Sequence, residues 1–211
     1  MTRFMCLLTE AIKVKHRKLF NLDLHAERMN KARRELFGIT DEINLHAVLL
    51  VPDFVDDGLY KCRITYGKKI DNVEWIKYKP RNIKTLKLVR CDEIGYNYKF
   101  NDRSMFEKLL KENNCSDGDV IIIIKNNRIT DTYFSNVVLF NGKEWHTPRF
   151  PLLLGTKRAE LLRDGIIFEE DILENEFYRY EKIRLINAMI EFDVAPTFFT
   201  TEVIPVWHQV K

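Results

Sequence analysis

A chain of 211 residues has room for one large domain or two small ones. Its hydrophobic content of 45% and charged content of 31% belong to a folded globular protein and exclude a disordered one. The net charge is only +3, and the 34 Lys and Arg residues are interspersed with 31 acids, which argues against a nucleic-acid footprint. Cys6, Cys62, Cys91 and Cys115 form no CxxC pair, so neither a metal site nor a disulfide framework is expected, and reduced thiols in a cytoplasm are. The longest apolar run, VIIIIK, is far too short to span a bilayer. Acid and base are mixed at the start of the chain, which does not read as a signal peptide.

FMCLLTEAIKVKHRKLFNL reads as two strands around the polar turn KHRK, because Ile12 and Val14 alternate with Lys13 and Lys15. DLHAERMNKARRELFG predicts a helix with Asp23 as N-cap, an apolar stripe of Leu24, Met29, Ala32 and Leu36, and Gly38 as its stop. A second helix is expected from Thr40 across TDEINLHAVLL. GLYKCRITYG and NVEWIKYK are strands bounded by Gly, Asn and Pro. TLKLVR is a further strand, and NDRSMFEKLLKENN is an amphipathic helix with Met105, Phe106, Leu109 and Leu110 inward. Between residues 119 and 148 apolar strands are separated by two turn signals, Asn126-Asn127 and Asn141-Gly142. The four consecutive isoleucines need cover on both faces, which puts their strand in the middle of a sheet. EEDILENEFYRYE reads as helical, KIRLINAM as a strand and TEVIPVW as extended. The fold class is α+β: a small N-terminal α/β lobe over 1–84 and a larger β-rich lobe over 85–211.

Chemistry concentrates around Lys99. It stands in YNYKFNDRSMFEKLL, with Tyr96 and Tyr98 before it and Arg103 after it, a setting that could bury an amine beside a cation. Spacing alone equally allows a solvated lysine on an edge strand. Asp131 in ITDTYFSN reads either as a hairpin aspartate or as a carboxylate held for a charged partner. In PLLLGTKRAELLRDG, Gly155-Thr156 opens a helix whose N-terminus is either simply capped or an anion site.

Taken in order, HAERM, the Lys99 segment, TDTYFSN, WHTPRFPLLLGTKR and LINAM resemble the class IV (fold type IV) pyridoxal-phosphate enzymes. That family includes branched-chain and D-amino-acid aminotransferases and 4-amino-4-deoxychorismate lyase. The resemblance implies a two-lobed fold with pyridoxal 5'-phosphate as cofactor and Lys99 as the amine on its aldehyde, Lys84 being the competing lysine. Asp131, followed by Ser135 and Asn136, would take the place of the family's glutamate beside the pyridine nitrogen. Gly155, Thr156 and Lys157, in a Gly-x-x-Arg sequence ending at Arg158, and Arg28 of the His-x-x-Arg would hold the phosphate. Asn187 and Ala188 match a late strand lining the cofactor and the substrate carboxylate. His25 reads as a structural residue at the helix start.

The match also implies a small amine or amino-acid substrate and a homodimer; charge, apolar-run length and cysteine spacing already argue against nucleic-acid, membrane and metal partners. The chain is N-terminally short against the family pattern, and Glu10 and Ile12 remain from a Glu-Thr-Ile sequence, with Ala11 in the middle. Its compact frame looks closest to the lyase of the folate route. A class IV aminotransferase is the alternative, and a cofactor-binding homologue with little turnover is a third reading.

Overall fold

A computed structural model of the chain describes residues 6–206. Phe4 and Met5 of the expected first strand, and Trp207 of the expected last one, lie outside the described residues. Packing divides the chain into two units, Met1–Pro80 with Tyr98–Asp102, and Arg81–Asn97 with Arg103–Lys211. A single cut near residue 84 does not describe this division, because Tyr98–Asp102, which carries Lys99, groups with the first unit.

The first unit contains β1 (Leu8–Lys15), β2 (Lys18–Leu19), α1 (Leu22–Phe37), α2 (Leu45–Val48), β3 (Tyr60–Tyr66) and β4 (Ile70–Lys77). Its antiparallel sheet has the order β2-β1-β3-β4. His16 and Arg17 take φ of 49° and 57°, the left-handed pair that a tight hairpin needs to match the strand twist. Along β1, Leu8, Glu10, Ile12 and Val14 share one face and are all 0% exposed, so a carboxylate sits in an otherwise apolar row. Helix α1 starts at Leu22, with Asn21 rather than Asp23 at the N-cap, and Gly38 (φ 66°) closes it by donating to the carbonyls of Arg33 and Arg34.

Arg33 explains why the expected second helix shrinks to one turn. Its guanidinium is buried and donates to Asn30 Oδ1, to the Lys68 carbonyl, and to both the carbonyl and carboxylate of Asp41. Asn30 also pairs with Ile43, accepting its N–H and donating to its carbonyl. The backbone of 41–43 is therefore held by α1 side chains, and α2 begins only at Leu45, capped by Asn44 Oδ1 on the His46 N–H.

The second unit contains β5 (Thr85–Arg90), α3 (Ser104–Glu112), β6 (Asp119–Lys125), β7 (Arg128–Thr132), β8 (Asn136–Phe140), β9 (Trp145–Pro148), α4 (Thr156–Arg163), β10 (Ile167–Glu170), β11 (Lys182–Ile186), β12 (Thr197–Phe199) and β13 (Ile204–Val206). One sheet runs β13-β5-β6-β7 and the other β10-β9-β8-β11-β12. The isoleucine strand β6 lies between β5 and β7, and Val120, Ile121, Ile122, Ile123 and Ile124 are all buried. Asn126 and Asn127, at φ of 50° and 60°, turn β6 into β7, and Gly142 (φ 96°) turns β8 towards β9. One core joins the two sheets: Leu86, Leu88, Ile122 and Ile124 pack with Val137, Leu139, Ile183 and Leu185. Val138 and Ile186 point the other way, onto Leu161 of α4. Of the helix expected over 169–181, residues 169 and 170 end β10 and only Glu174–Arg179 is helical, as a 3-10 segment; Met105 of α3 is exposed.

The class is α+β, as the sequence predicts. Replacing Arg33 with Met should lower the unfolding free energy by about 2–4 kcal/mol, because buried carbonyl acceptors lose their donors. Arg34→Met, which removes an exposed pair with Glu42, should cost less than ~1 kcal/mol. Urea unfolding of the two variants checks the contrast, and equal losses would refute it.

Candidate functional site

In the first unit the polar cluster grows from Glu10. Arg28, one turn and a half into α1, donates from Nε to Oε1 (3.0 Å) and from Nη2 to Oε2 (2.5 Å). His25 Nδ1 lies 2.6 Å from the same Oε2, and since a carboxylate only accepts, Nδ1 carries the proton. Burial alone would raise the Glu10 carboxyl, but the Arg28 guanidinium and the His25 hydrogen bond outweigh it and hold it at about 2. Burial pushes the His25 imidazole below its ordinary value against the opposing pull of Glu10, and the charges of Arg28 and Lys99 add to the lowering. His25 is thus a neutral donor, and the cation opposite Glu10 is Arg28.

Lys99 does not end a strand. It lies in the Tyr98–Asp102 segment, whose Phe100 makes one antiparallel bridge to Leu8. The Lys99 carbonyl accepts the Thr9 N–H (2.8 Å) and the Asn101 N–H donates to Leu7 (2.8 Å), so the segment is stitched to the start of β1. Lys99 is half-buried and its charge is felt at His25. The competing Lys84 is exposed in the second unit, where its side chain packs on Gly118. Arg103, expected beside Lys99, caps α3 in the second unit; it stacks 4.6 Å over Phe106 and donates to the Tyr133 carbonyl and the Tyr96 hydroxyl.

In the second unit Asp131, on β7, is 3% exposed. Its Oδ1 accepts from Asn136 Nδ2 (2.8 Å) and its Oδ2 from the Leu153 N–H (2.9 Å). Asn136 Nδ2 also donates to the Leu153 carbonyl (2.8 Å), so one amide ties β7, β8 and the segment before α4. Gly155 follows because any Cβ there would collide with Asn136 Oδ1. Burial raises the Asp131 carboxyl to about 6, against the lowering effect of the Leu153 N–H, Asn136 and the Arg158 charge.

Gly155 is the N-cap of α4, with no side-chain cap. The N–H groups of a first helical turn lack intrahelical acceptors and carry the positive end of the dipole. Thr156, Lys157 and Arg158 of that turn are all buried. Lys157 Nζ pairs with Glu160 at 3.0 Å and Glu191 at 3.7 Å. Arg158 Nη2 donates to the Pro148 carbonyl and Glu169, whereas its buried Nε has no acceptor among the described residues. The Ser135 hydroxyl is engaged with Thr132 Oγ1 (2.8 Å) in the turn between β7 and β8. Asn187 Oδ1 accepts the Met189 N–H, and the half-buried Ala188 lies inside that turn.

The structure thus brings Asp131 and Asn136 into one hydrogen-bonded group with Leu153, packs Gly155 against Asn136, and places Arg28 and Lys99 in the unit that holds Glu10 and His25. Sequence reading assigned no role to Glu10. The signal was its inward place in the Leu8-Glu10-Ile12-Val14 row, where an unpaired carboxylate would not be tolerated. Carboxyl-detected NMR titration of cofactor-free protein should find Asp131 titrating near 6 and Glu10 near 2. An Asp131 midpoint below its ordinary 3.8 would mean that its neutral and charged partners outweigh burial.

No family model matches the chain. An uncharacterised protein of Haemophilus influenzae is 34% identical over 184 residues, 86% of this chain and 97% of that one. A crystal structure of a candidate 4-amino-4-deoxychorismate lyase from Haemophilus somnus is 31% identical, with a TM-score of 0.78 over 89% of this chain and 98% of that one. The same fold recurs in a fold IV transaminase from Curtobacterium pusillum, 16% identical with a TM-score of 0.71 over 97% and 83% of the two chains. The chain belongs to the fold type IV family of pyridoxal-phosphate-dependent enzymes, the lyases and aminotransferases.

Proposed function

We propose that the chain is a 4-amino-4-deoxychorismate lyase that uses pyridoxal 5'-phosphate to release pyruvate and 4-aminobenzoate. The observation that carries the cofactor reading is Asp131: a fully enclosed carboxylate fixed by Asn136 and the Leu153 N–H, which aim it without neutralising it. The lyase assignment rests on the near full-length likeness to the Haemophilus somnus protein.

The donor set suits the cofactor. A phosphorylated pyridine aldehyde asks for an amine, a carboxylate for the ring nitrogen and donors for the phosphate. Lys99 supplies the amine. Asp131 supplies the carboxylate; a ring cation in contact would bring its carboxyl down by about 1–3 pKa units, making it a firm anionic anchor. Aspartate is a methylene shorter than the family's glutamate, and its two fixed hydrogen bonds set where the shorter arm ends. Phosphate donors come from the first turn of α4, with Gly155, Thr156 and Lys157, from the buried Arg158 Nε, and from Arg28. We assign Ser135 to hold the turn after Asp131, and Asn187 and Ala188 to the substrate carboxylate side.

When bound, the cofactor supplies an electron sink for the carbon that loses a proton. The chain supplies the rest. Lys99 Nζ takes the proton whose loss aromatises the substrate ring as pyruvate departs, and His25 stays neutral throughout, because its single ring proton is committed to Glu10.

Purified protein should be yellow, and borohydride reduction followed by peptide mapping should place the pyridoxyl group on Lys99; label on Lys84, or none, would overturn the assignment. Single turnover with aminodeoxychorismate should yield 4-aminobenzoate, whereas turnover only with L- or D-amino acids would make the enzyme an aminotransferase. A homodimer is part of the proposal: light scattering should give about twice the 25.2 kDa chain mass. A monomer at micromolar concentration would rule it out.

A further inference from the structure

Arginine holds a phosphate well only when its planar fork is pre-oriented, since its long side chain otherwise carries considerable rotamer freedom. In this chain Arg28 is not left to orient itself. Nε and Nη2, one edge of the guanidinium, are both bonded to Glu10, at 3.0 and 2.5 Å. Glu10 cannot move to follow Arg28, because it sits on a central strand, is 0% exposed, and is also held by His25 Nδ1 at 2.6 Å. Three donors thus converge on one carboxylate that is rigid on its own backbone. The Arg28 side chain is 17% exposed, so without Glu10 it has a route to water.

We infer that Glu10 is a positioning residue for cofactor binding: by engaging the Nε–Nη2 edge of Arg28 and the Nδ1 proton of His25, it fixes the plane of the guanidinium assigned above to the phosphate. The inference rests on the assignment of Arg28 to the phosphate made above. Two effects oppose each other when Glu10 is neutralised. The guanidinium gains net positive field, which favours a phosphate, and it loses the two bonds that define its direction. The second wins here, because a phosphate is gripped by paired, directed N–H donors, and the field of an exposed, mobile guanidinium is screened by water.

The test uses the full chain, stripped of cofactor and titrated separately with pyridoxal phosphate and with pyridoxal, which lacks the phosphate. Glu10→Gln should weaken pyridoxal phosphate about tenfold, the loss of one well-made charged contact, and shift pyridoxal less than about twofold. Arg28→Ala should show the same selective loss. The double variant should be no weaker than Arg28→Ala alone, because Glu10 acts through Arg28.

Equal weakening of both compounds by Glu10→Gln would mark a general structural role, and unchanged or tighter pyridoxal phosphate binding would show that charge outweighs orientation; either overturns the inference. If Glu10→Gln does not fold by circular dichroism, Arg28→Lys reads the same point: a point charge without the aligned fork should also lose the preference for the phosphorylated compound, and full retention overturns the inference. Wild-type protein that binds neither compound would refute the cofactor reading itself. Binding that survives intact in Glu10→Gln would refute only the role of Glu10.

Discussion

A carboxylate taken out of water must be satisfied by fixed donors or give up its charge, and this constraint organises both units of the protein. Glu10 and Asp131 both sit on strands and both are enclosed, at 0% and 3% exposure. They reach opposite ends of the titration range because their partners differ in kind. Glu10 has a guanidinium in bidentate contact, and its carboxyl is held at about 2. Asp131 is bonded to a neutral amide and a peptide N–H, with Arg158 acting only through its charge, and burial wins, raising it to about 6.

The surrounding structure follows from serving these groups. For Asp131 to be bonded on both oxygens, β7, β8 and the segment before α4 must converge, and Asn136 makes them do so by donating to Asp131 and to the Leu153 carbonyl with the same amide nitrogen. That geometry leaves no space for a side chain at residue 155. Glycine at 155 in turn gives α4 an N-terminus without a side-chain cap, and so a first turn able to receive an anion. In the first unit the equivalent demand is met across a strand–helix contact, where Glu10 of β1 draws His25 and Arg28 of α1 onto one point. The helix packs its apolar residues Leu22, Met29 and Ala32 in the same core.

What could be read from the sequence was what is decided locally. The paired asparagines at 126 and 127 adopt positive φ because their short polar side chains tolerate it, and four adjacent isoleucines require an interior strand wherever they occur. The motif residues of the second unit, Asp131, Asn136 and Gly155, are legible through family resemblance; the bond between Asp131 and Asn136 and the close approach of Asn136 to Gly155 are not. Long-range effects escaped the reading. The second helix was shortened by Arg33 and Asn30, residues outside it, and no propensity at Thr40 records that competition. By position Lys99 belongs to the larger lobe over 85–211; Lys99, Phe100 and Asn101 instead pair with the start of β1, which depends on chain about ninety residues away in sequence.

The two carboxylates also give the protein opposing proton linkages. The Glu10 carboxyl lies below its unfolded value of 4.5, so its contribution is complete above that pH and is lost as pH falls towards about 2. The Asp131 carboxyl lies above its unfolded value of 3.8, so the folded state is favoured while it is protonated, and that contribution disappears as pH rises through about 6. Each shift corresponds to something on the order of 3 kcal/mol, comparable in size and opposite in sign. At neutral pH the cofactor-free protein therefore retains the Glu10 contribution and bears the cost of an ionised, buried Asp131. On the proposed assignment a cationic ring nitrogen against that carboxylate would remove the cost, so cofactor affinity and folding stability would draw on the same electrostatic deficit. On this account Asp131 is destabilising in the apo fold for the same reason that it is useful in the holo one.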